Sequence, residues 1–202
     1  MRVIGSGGHA KVIVASLLNN GCQIENIFDE DVSKNGKKLL NIDILSPIPN
    51  LLNTPHVIGI GNNKIREMIS LKYKQINWGK LIDINSIISI DVIILEGTVI
   101  LSGSIVQVGT TIGRHCILNT KSSVDHDCII HDFVHISPGV TLCGNVEVNI
   151  GTHIGAGAVV IPNTKIGKWC IIGAGSVITN DIPDFSLVVG VPGRVIKNLN
   201  NV

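Results

Sequence analysis

From residue 82 to residue 178 an aliphatic side chain occupies every sixth position: Ile82, Ile88, Ile94, Ile100, Val106, Ile112, Leu118, Val124, Ile130, Ile136, Leu142, Val148, Ile154, Val160, Ile166, Ile172 and Ile178. Four residues after these, from Thr98 onward, runs a column of smaller residues that includes Ser104, Thr110, Cys116, Ser122, Cys128, Thr152, Ala158, Cys170 and Ser176. Neither a helix, with its apolar face recurring about every 3.6 residues, nor strand alternation at two has this period. It predicts a parallel β-helix in which each hexad gives one short strand and one corner. Three hexads close a triangular coil, and coils stack at roughly 4.8 Å. The aliphatic positions suffice for about five and a half coils, a prism roughly 25 Å tall, with large side chains inside and small ones at the bends. Glycines such as Gly97, Gly103, Gly109 and Gly151 fall at or beside the corners, where a positive φ or a close backbone approach favours them.

The first eighty residues follow a different pattern. A short apolar strand, Arg2 to Ile4, runs into Gly5-Ser6-Gly7-Gly8-His9-Ala10. A helix follows from Lys11 to Asn20, ended by Gly21, then a second strand from Ile24 to Phe28 closed by Asp29-Glu30-Asp31. Strand, glycine turn, helix, strand and acid make the layout of a nucleotide-binding βαβ unit, with Gly5-x-Gly7-x-x-Ala10 at the turn. In such a unit glycines admit a diphosphate to a helix N-terminus, and an acid about twenty residues on reaches a ribose or base. A complete dinucleotide domain needs about 150 residues, so a smaller nucleotide ligand is expected. Asn35 to Leu45 reads as irregular, and Ser46-Pro47 opens a segment running to about Asn53. His56 to Ile60 reads as a third strand, followed by Gly61-Asn62-Asn63 and a helix to about Lys74. Asn62 or Asn63 there serves equally as a ligand contact or as a helix N-cap. No flexible linker separates this region from the repeats, so it should pack rigidly on the first coil. The expected division is a Rossmann-like domain over residues 1–80, the β-helix over 81–182 and a C-terminal cap over 183–202 that covers the open end of the prism.

Composition narrows the function classes. Net charge is +1 with no basic run, which gives nucleic acid or an anionic membrane nothing to bind. Apolar runs are interrupted by Gly, Asn and Asp, so neither a membrane span nor a signal peptide is expected and the compartment reads as cytoplasmic. The 3% aromatic content suits a thin prism filled by Ile and Val. Five cysteines without a CxxC pair read as free thiols, with Cys116, Cys128 and Cys170 as buried space-fillers and Cys143 exposed.

Charged residues are sparse on the repeats except at Asp125, His126, Asp127, His131, Asp132 and His135, with His153 beyond. Counting eighteen residues per coil, His135 stacks on His153 and His126 on Gly144, which would gather these groups on one side within about two coils. Spacing of His126 and His131 resembles that of hexapeptide-repeat carbonic anhydrases, but the position two coils before His126 is Ile90, so no metal is expected. A general base fits better. A histidine titrating near 6.5 accepts a proton at neutral pH, and an adjacent carboxylate fixes its tautomer. His126 lies between Asp125 and Asp127, and sequence leaves open which one reaches the ring.

Both halves resemble one family, the bacterial nucleotide-sugar acyltransferases. It includes N-acetyltransferases of UDP- or dTDP-linked 4-amino-4,6-dideoxy sugars and sialic acid O-acetyltransferases. The residues that carry the resemblance are Gly5 to Ala10, Ile60 to Arg66, Asn119, Asp125 to Cys128, His135 to Gly139, Gly144 to Val146 and Gly190 to Arg194. The resemblance implies an α/β nucleotide-binding domain followed by a left-handed parallel β-helix, and a homotrimer with active sites between prisms. It implies acetyl-CoA as co-substrate and a nucleotide-linked amino sugar as acceptor, with His126 as general base and Asp127 orienting it. His135 would contact the thioester arm, and backbone around Gly144, Ala156 and Ala174 would line the pantetheine groove. Gly7, Gly8, His9, Asp29, Glu30, Asn62 and Asn119 would hold the nucleotide sugar. A non-catalytic sugar-nucleotide scaffold is the alternative of another class, and the charges around His126 argue against it.

Overall fold

The computed structural model describes residues 1–49 and 54–200; the end of the segment expected to run to about Asn53 lies outside them. The repeats fold as a triangular prism of two-residue strands. Face one carries Leu81–Ile82, Val99–Ile100, Ile117–Leu118, His135–Ile136, His153–Ile154 and Ile171–Ile172. Face two runs from Ile87–Ile88 through Ser123–Val124 to Val177–Ile178, and face three from Ile93–Ile94 through Ile129–Ile130 to Lys165–Ile166. All neighbours on these faces pair in parallel at a register of one coil, as in His135 opposite His153.

Inward positions are filled as the period demands: Val106, Ile112, Leu118, Val124, Ile136 and Leu142 are wholly buried. The bottom of the prism is the exception. Ile82 is 39% exposed because no coil lies beneath it. The small corner residues do more than fit a bend. Thr98, Thr110 and Thr152 each donate a hydroxyl hydrogen bond to a corner carbonyl, on Gly113, Asp125 and Gly167 respectively. The same oxygens accept the N–H groups of Cys116, Cys128 and Cys170 in the next coil, so buried backbone polar groups are satisfied. Cys116, Cys128 and Cys170 are buried, and burial pushes the first two thiols up to about 12 and about 11, which suits inert filler. Cys143 is half-buried rather than exposed.

The N-terminal region is a five-stranded sheet. It comprises β1 (Arg2–Ile4), β2 (Ile27–Phe28), β3 (Lys38–Leu39), β4 (Ile42–Leu45) and β5 (His56–Ile58) in the order β3-β4-β2-β1-β5. Helix α1 (Gly8–Asn19) follows β1, and α2 (Asn63–Lys72) follows β5. The stretch expected to be irregular contains the antiparallel β3–β4 hairpin, whose Leu40-Asn41 turn takes positive φ at both residues without the glycine that usually marks such turns. Gly59 is required by close packing: a Cβ there would lie 2.9 Å from the Ala10 Cβ of α1. This is why the glycine pattern can end in Ala but nothing larger.

The domain packs on face one. Ile13, Val14 and Leu17 of α1 share a core with Leu81, Val99 and Leu101. Ser16 hydrogen-bonds Asp83, and the Asn20 amide bonds the Ile82 carbonyl at 2.7 Å and the Ile84 N–H at 2.9 Å. At the other end Ser186–Val189 extends face one in parallel and Arg194–Asn198 returns antiparallel to it. Their turn lies over the end of the core, where a Cβ on Gly193 would sit 2.8 Å from Ile178 Cδ1. No helix among the described residues is long and apolar enough to cross a membrane.

Candidate functional site

Three hexads carry the chain once round the prism, so residues 125 to 135 cannot lie on one side. The expectation of a single polar cluster is corrected accordingly. His126 sits on the corner between faces two and three, whereas His135 and His153 project from face one, the face opposite that corner. His131, between them, is engaged by Glu147 at 3.0 Å.

On the first corner the geometry selects one carboxylate. Asp127 Oδ2 lies 2.8 Å from His126 Nδ1, while Asp125 Oδ1 accepts the His126 backbone N–H, also at 2.8 Å. A carboxylate accepts only, so Nδ1 carries the proton and Nε2 keeps its lone pair. The Asp127 hydrogen bond, with smaller help from the charges of Asp125 and Asp127, holds this imidazole above its usual value. Asp127 reaches the ring from a left-handed backbone conformation at φ +58°, which Asp tolerates better than most residues. Missing side chains on either side make room for the pair. A Cβ on Gly109, one coil before Asp127, would lie 2.4 Å from its Oδ1, and one on Gly144, one coil after His126, would lie 2.4 Å from Nε2. The ring and its carboxylate thus occupy a slot, and the Gly144 N–H has no partner among the described residues.

Ala156 and Ala174 do not adjoin Gly144 in the protomer. They stack on the corner between faces one and two, where Gly175 N–H donates to the Ala156 carbonyl at 2.8 Å.

The second cluster lies where the N-terminal domain meets face one. His135 Nδ1 is 3.2 Å from the Gly61 carbonyl oxygen and Nε2 is 3.2 Å from Asn119 Nδ2. Its ring stacks on His153 at 4.7 Å with an interplanar angle of 1°, and His9 lies 6.0 Å away, centroid to centroid. Burial first, then His153, Arg66 and His9, pushes His135 down to about 3; burial and Arg66 push His9 down to about 4. Both are therefore neutral at pH 7.

Beside this cluster a cleft of ≈ 310 Å³ is lined by the glycine turn, His9, Asp29, Lys34 and Gly61. A Cβ on Gly7 or Gly8 would meet nothing within 4 Å, so the turn opens onto unobstructed space at the N-terminus of α1. Anions bind such helix ends readily. Asp29 braces the turn. Its carboxylate takes the Ser6 N–H at 3.0 Å, the Ser6 hydroxyl, the Asp31 N–H at 3.0 Å and Lys34 at 2.9 Å. Burial raises its pKa, but these bonds outweigh it and hold the group below the ordinary carboxylate value. Glu30 pairs with Lys72 and with the Tyr73 hydroxyl. Asn62 caps α2, its side-chain oxygen accepting the Ile65 N–H at 3.0 Å.

Sequence reasoning offered Asn63 only as a ligand contact or helix N-cap and gave Arg66 no role. Both lie on the face of α2 that meets the prism, and both bond its carbonyls. The signal was present in the eighteen-residue column Gly97, His115, Phe133, Gly151, Trp169, whose members all take positive φ. This column forms the corner between faces three and one, against which α2 packs.

Two family models match the chain: the PglD N-terminal domain over residues 1–73 and the bacterial transferase hexapeptide of six repeats over residues 145–180. A solved histidine-to-asparagine mutant of perosamine N-acetyltransferase from Caulobacter crescentus, in complex with CoA and GDP-perosamine, is 30% identical with a TM-score of 0.92. That match covers 97% of this chain and 96% of that one. The acetyltransferase domain of PglB from Neisseria gonorrhoeae is 32% identical with a TM-score of 0.88, covering 96% and 98%. Serine acetyltransferase from Bacillus subtilis is 35% identical over 98 residues, 44% of this chain and 45% of that protein. The chain spans less than half the length of the curated relatives it matches.

Proposed function

The chain belongs to the hexapeptide-repeat, left-handed β-helix acetyltransferases of nucleotide sugars, and from that premise we propose that it transfers the acetyl group of acetyl-CoA to the 4-amino group of a nucleotide-linked amino-dideoxy sugar. The observation that carries this reading is the His126–Asp127 pair, with a protonated Nδ1 held by a carboxylate and an Nε2 that faces Gly144, whose N–H has no partner among the described residues. The sugar amine attacks the thioester carbonyl carbon as Nε2 takes its proton. The Gly144 N–H stabilises the oxyanion that forms. Collapse of this intermediate breaks the C–S bond, and the imidazolium returns the proton to the leaving thiolate, giving amide and CoA. Asp127 holds the ring in the required tautomer throughout.

The glycine turn and α1 N-terminus would hold the diphosphate, with the sugar running toward Asn119 and His135. Uracil and thymine bases were expected from sequence, and the guanine nucleotide in the Caulobacter complex adds a third candidate. His126 and His135 occupy a corner and the face opposite it, so one protomer cannot bring both to one substrate. A homotrimer, with the corner of one prism facing the N-terminal domain of the next, supplies the missing wall and the groove for the pantetheine. The test has two arms. His126→Ala should lower kcat on the order of 10²-fold or more while leaving acetyl-CoA binding nearly intact. A thermal-shift panel of UDP-, dTDP- and GDP-linked amino sugars, with free sialic acid as the competing O-acetyl acceptor, identifies the substrate. Near-normal turnover by the Ala variant would remove His126 from the role.

A further inference from the structure

The corner between faces three and one leaves a row of backbone carbonyls unused. In each coil the left-handed residue donates its N–H to the coil before, yet the carbonyls of His115, Phe133 and Gly151 receive no backbone N–H among the described residues. Helix α2 meets this row. Arg66 Nε donates to His115 O at 2.9 Å, Arg66 Nη2 to Phe133 O at 2.9 Å, and Asn63 Nδ2, one turn earlier, to Gly151 O at 2.9 Å. Three successive coils are thereby bonded to one face of one helix.

Arg66 also reaches back into its own domain. Its Nη1 donates to the carbonyls of Ile60 at 3.2 Å and Gly61 at 3.1 Å. The guanidinium is 1% exposed, and no carboxylate accepts from it among the described residues. An uncompensated buried cation is costly unless its hydrogen bonds are complete, and Lys could not span four carbonyls as the planar fork does.

The second lone pair of the Gly61 oxygen takes His135 Nδ1. A carbonyl can only accept, so Nδ1 carries the hydrogen and Nε2 the lone pair. The partner of Nε2 agrees with that assignment. Asn119 presents its Nδ2 there, because its Oδ1 accepts the Thr120 N–H at 2.8 Å and is thereby turned away. His153, stacked behind, is bonded to the Ser137 hydroxyl.

We propose that Arg66 is a positioning residue: by fixing the Gly61 carbonyl between the two domains it sets the hydrogen-bond polarity of His135, whose Nε2 lone pair then holds the Asn119 amide and leaves that amide's second N–H for the bound sugar. With both ring nitrogens engaged inside the chain, His135 offers no N–H to the carbonyl of the thioester, and Asn119 meets an acceptor oxygen of the nucleotide sugar. This replaces the contact with the thioester arm that family resemblance implies for His135. The burial and cationic surroundings that keep the ring neutral act in the same direction. That the sugar lies here rests on the function proposed above; the tautomer and its dependence on Arg66 do not.

The experiment is long-range ¹⁵N–¹H correlation spectroscopy of the histidines in the full chain, alongside steady-state kinetics. Wild-type His135 should show a single neutral tautomer with hydrogen on Nδ1 at pH 7. In Arg66→Met the Nε2–H form should become populated, and KM for the nucleotide sugar should rise at least about tenfold, as loss of a buried charge-assisted hydrogen bond implies, with KM for acetyl-CoA little changed. A folded Arg66→Met protein with an unaltered tautomer and unaltered sugar KM overturns the proposal. So does an Nε2–H or doubly protonated ring in the wild type, a result that stands even if the variant does not fold. A wild-type chain with the expected tautomer but no acetyl transfer would instead remove the proposed function and leave the tautomer assignment in place.

Discussion

Replacing Gly144 by Ala tests the candidate base without touching it. Gly144 lies outside the left-handed region, so Ala can adopt its backbone without strain. The added Cβ would fall 2.4 Å from His126 Nε2 and 2.5 Å from Cε1, whereas ordinary contact begins at 3.4 Å, so the ring must retreat by about 1 Å. The ring ends a side chain that is 55% exposed, and nothing in the prism core has to move with it. Unfolding free energy should therefore change by no more than about 0.5 kcal/mol, as for surface substitutions generally. Catalysis is far less tolerant. A reacting group misplaced by about 1 Å loses roughly 10²-fold in rate, or about 2.7 kcal/mol in the barrier. The assay is release of CoA thiol at saturating acetyl-CoA and nucleotide sugar, with thermal unfolding of the same sample. Turnover of Gly144→Ala within about threefold of wild type would show that the slot over His126 does not position the base. A large fall in Tm would show that Gly144 serves the coil instead.

Two further outcomes follow from the same geometry. Because a base must be unprotonated and Asp127 raises the His126 pKa, kcat/KM should climb with pH through an inflection above the ordinary histidine value; Asp127→Asn should move that inflection down and lower kcat, read from pH–rate profiles of both proteins. Gly151→Ala places a Cβ 2.4 to 2.5 Å from the Trp169 ring at φ +70°, so it should cost about 1–3 kcal/mol and lower Tm while leaving kcat of the folded fraction intact, as far-UV melts and active-site-normalised rates would show.

The prism was legible because its constraint is one-dimensional. A hexad with one aliphatic and one small residue has a single way to close a coil, and the eighteen-residue count correctly stacked His126 on Gly144 and His135 on His153. Angular position round the coil was harder to read. Counting along the chain made His126 and His135 near neighbours, although nine residues carry the backbone half-way round a solid core. The choice between Asp125 and Asp127 was likewise invisible, since it depends on a left-handed backbone at Asp127 and on the space left by Gly109. Arg66 was quoted for the resemblance but given no role for a related reason: its partners are backbone carbonyls, which have no residue signature. The β3–β4 hairpin was missed because Leu40-Asn41 lacks the glycine that usually marks such a turn.

A solid prism cannot fold a cleft around its own corner, and this makes the origin of the site's two imidazoles measurable. If His126 and His135 act on one substrate, they come from different copies, because in one copy a packed core of Val124, Ile130, Ile136 and their neighbours separates them. Assembling His126→Ala protomers with His135→Ala protomers in equal amounts then yields interfaces of four kinds. One kind joins an intact His126 from one variant to an intact His135 from the other. In a cyclic trimer that contains both variants one of the three interfaces is of that kind, so the mixed assemblies should regain about one third of wild-type activity although each variant alone is defective. Were both imidazoles drawn from the same protomer, every site would carry a lesion and mixing would restore nothing. Co-expression with two affinity tags, followed by rate measurement on the doubly tagged assemblies, distinguishes these results. Recovery would place the acceptor sugar between the corner of one chain and the N-terminal domain of its neighbour, and absence of recovery would return the catalytic assignment to a single prism face.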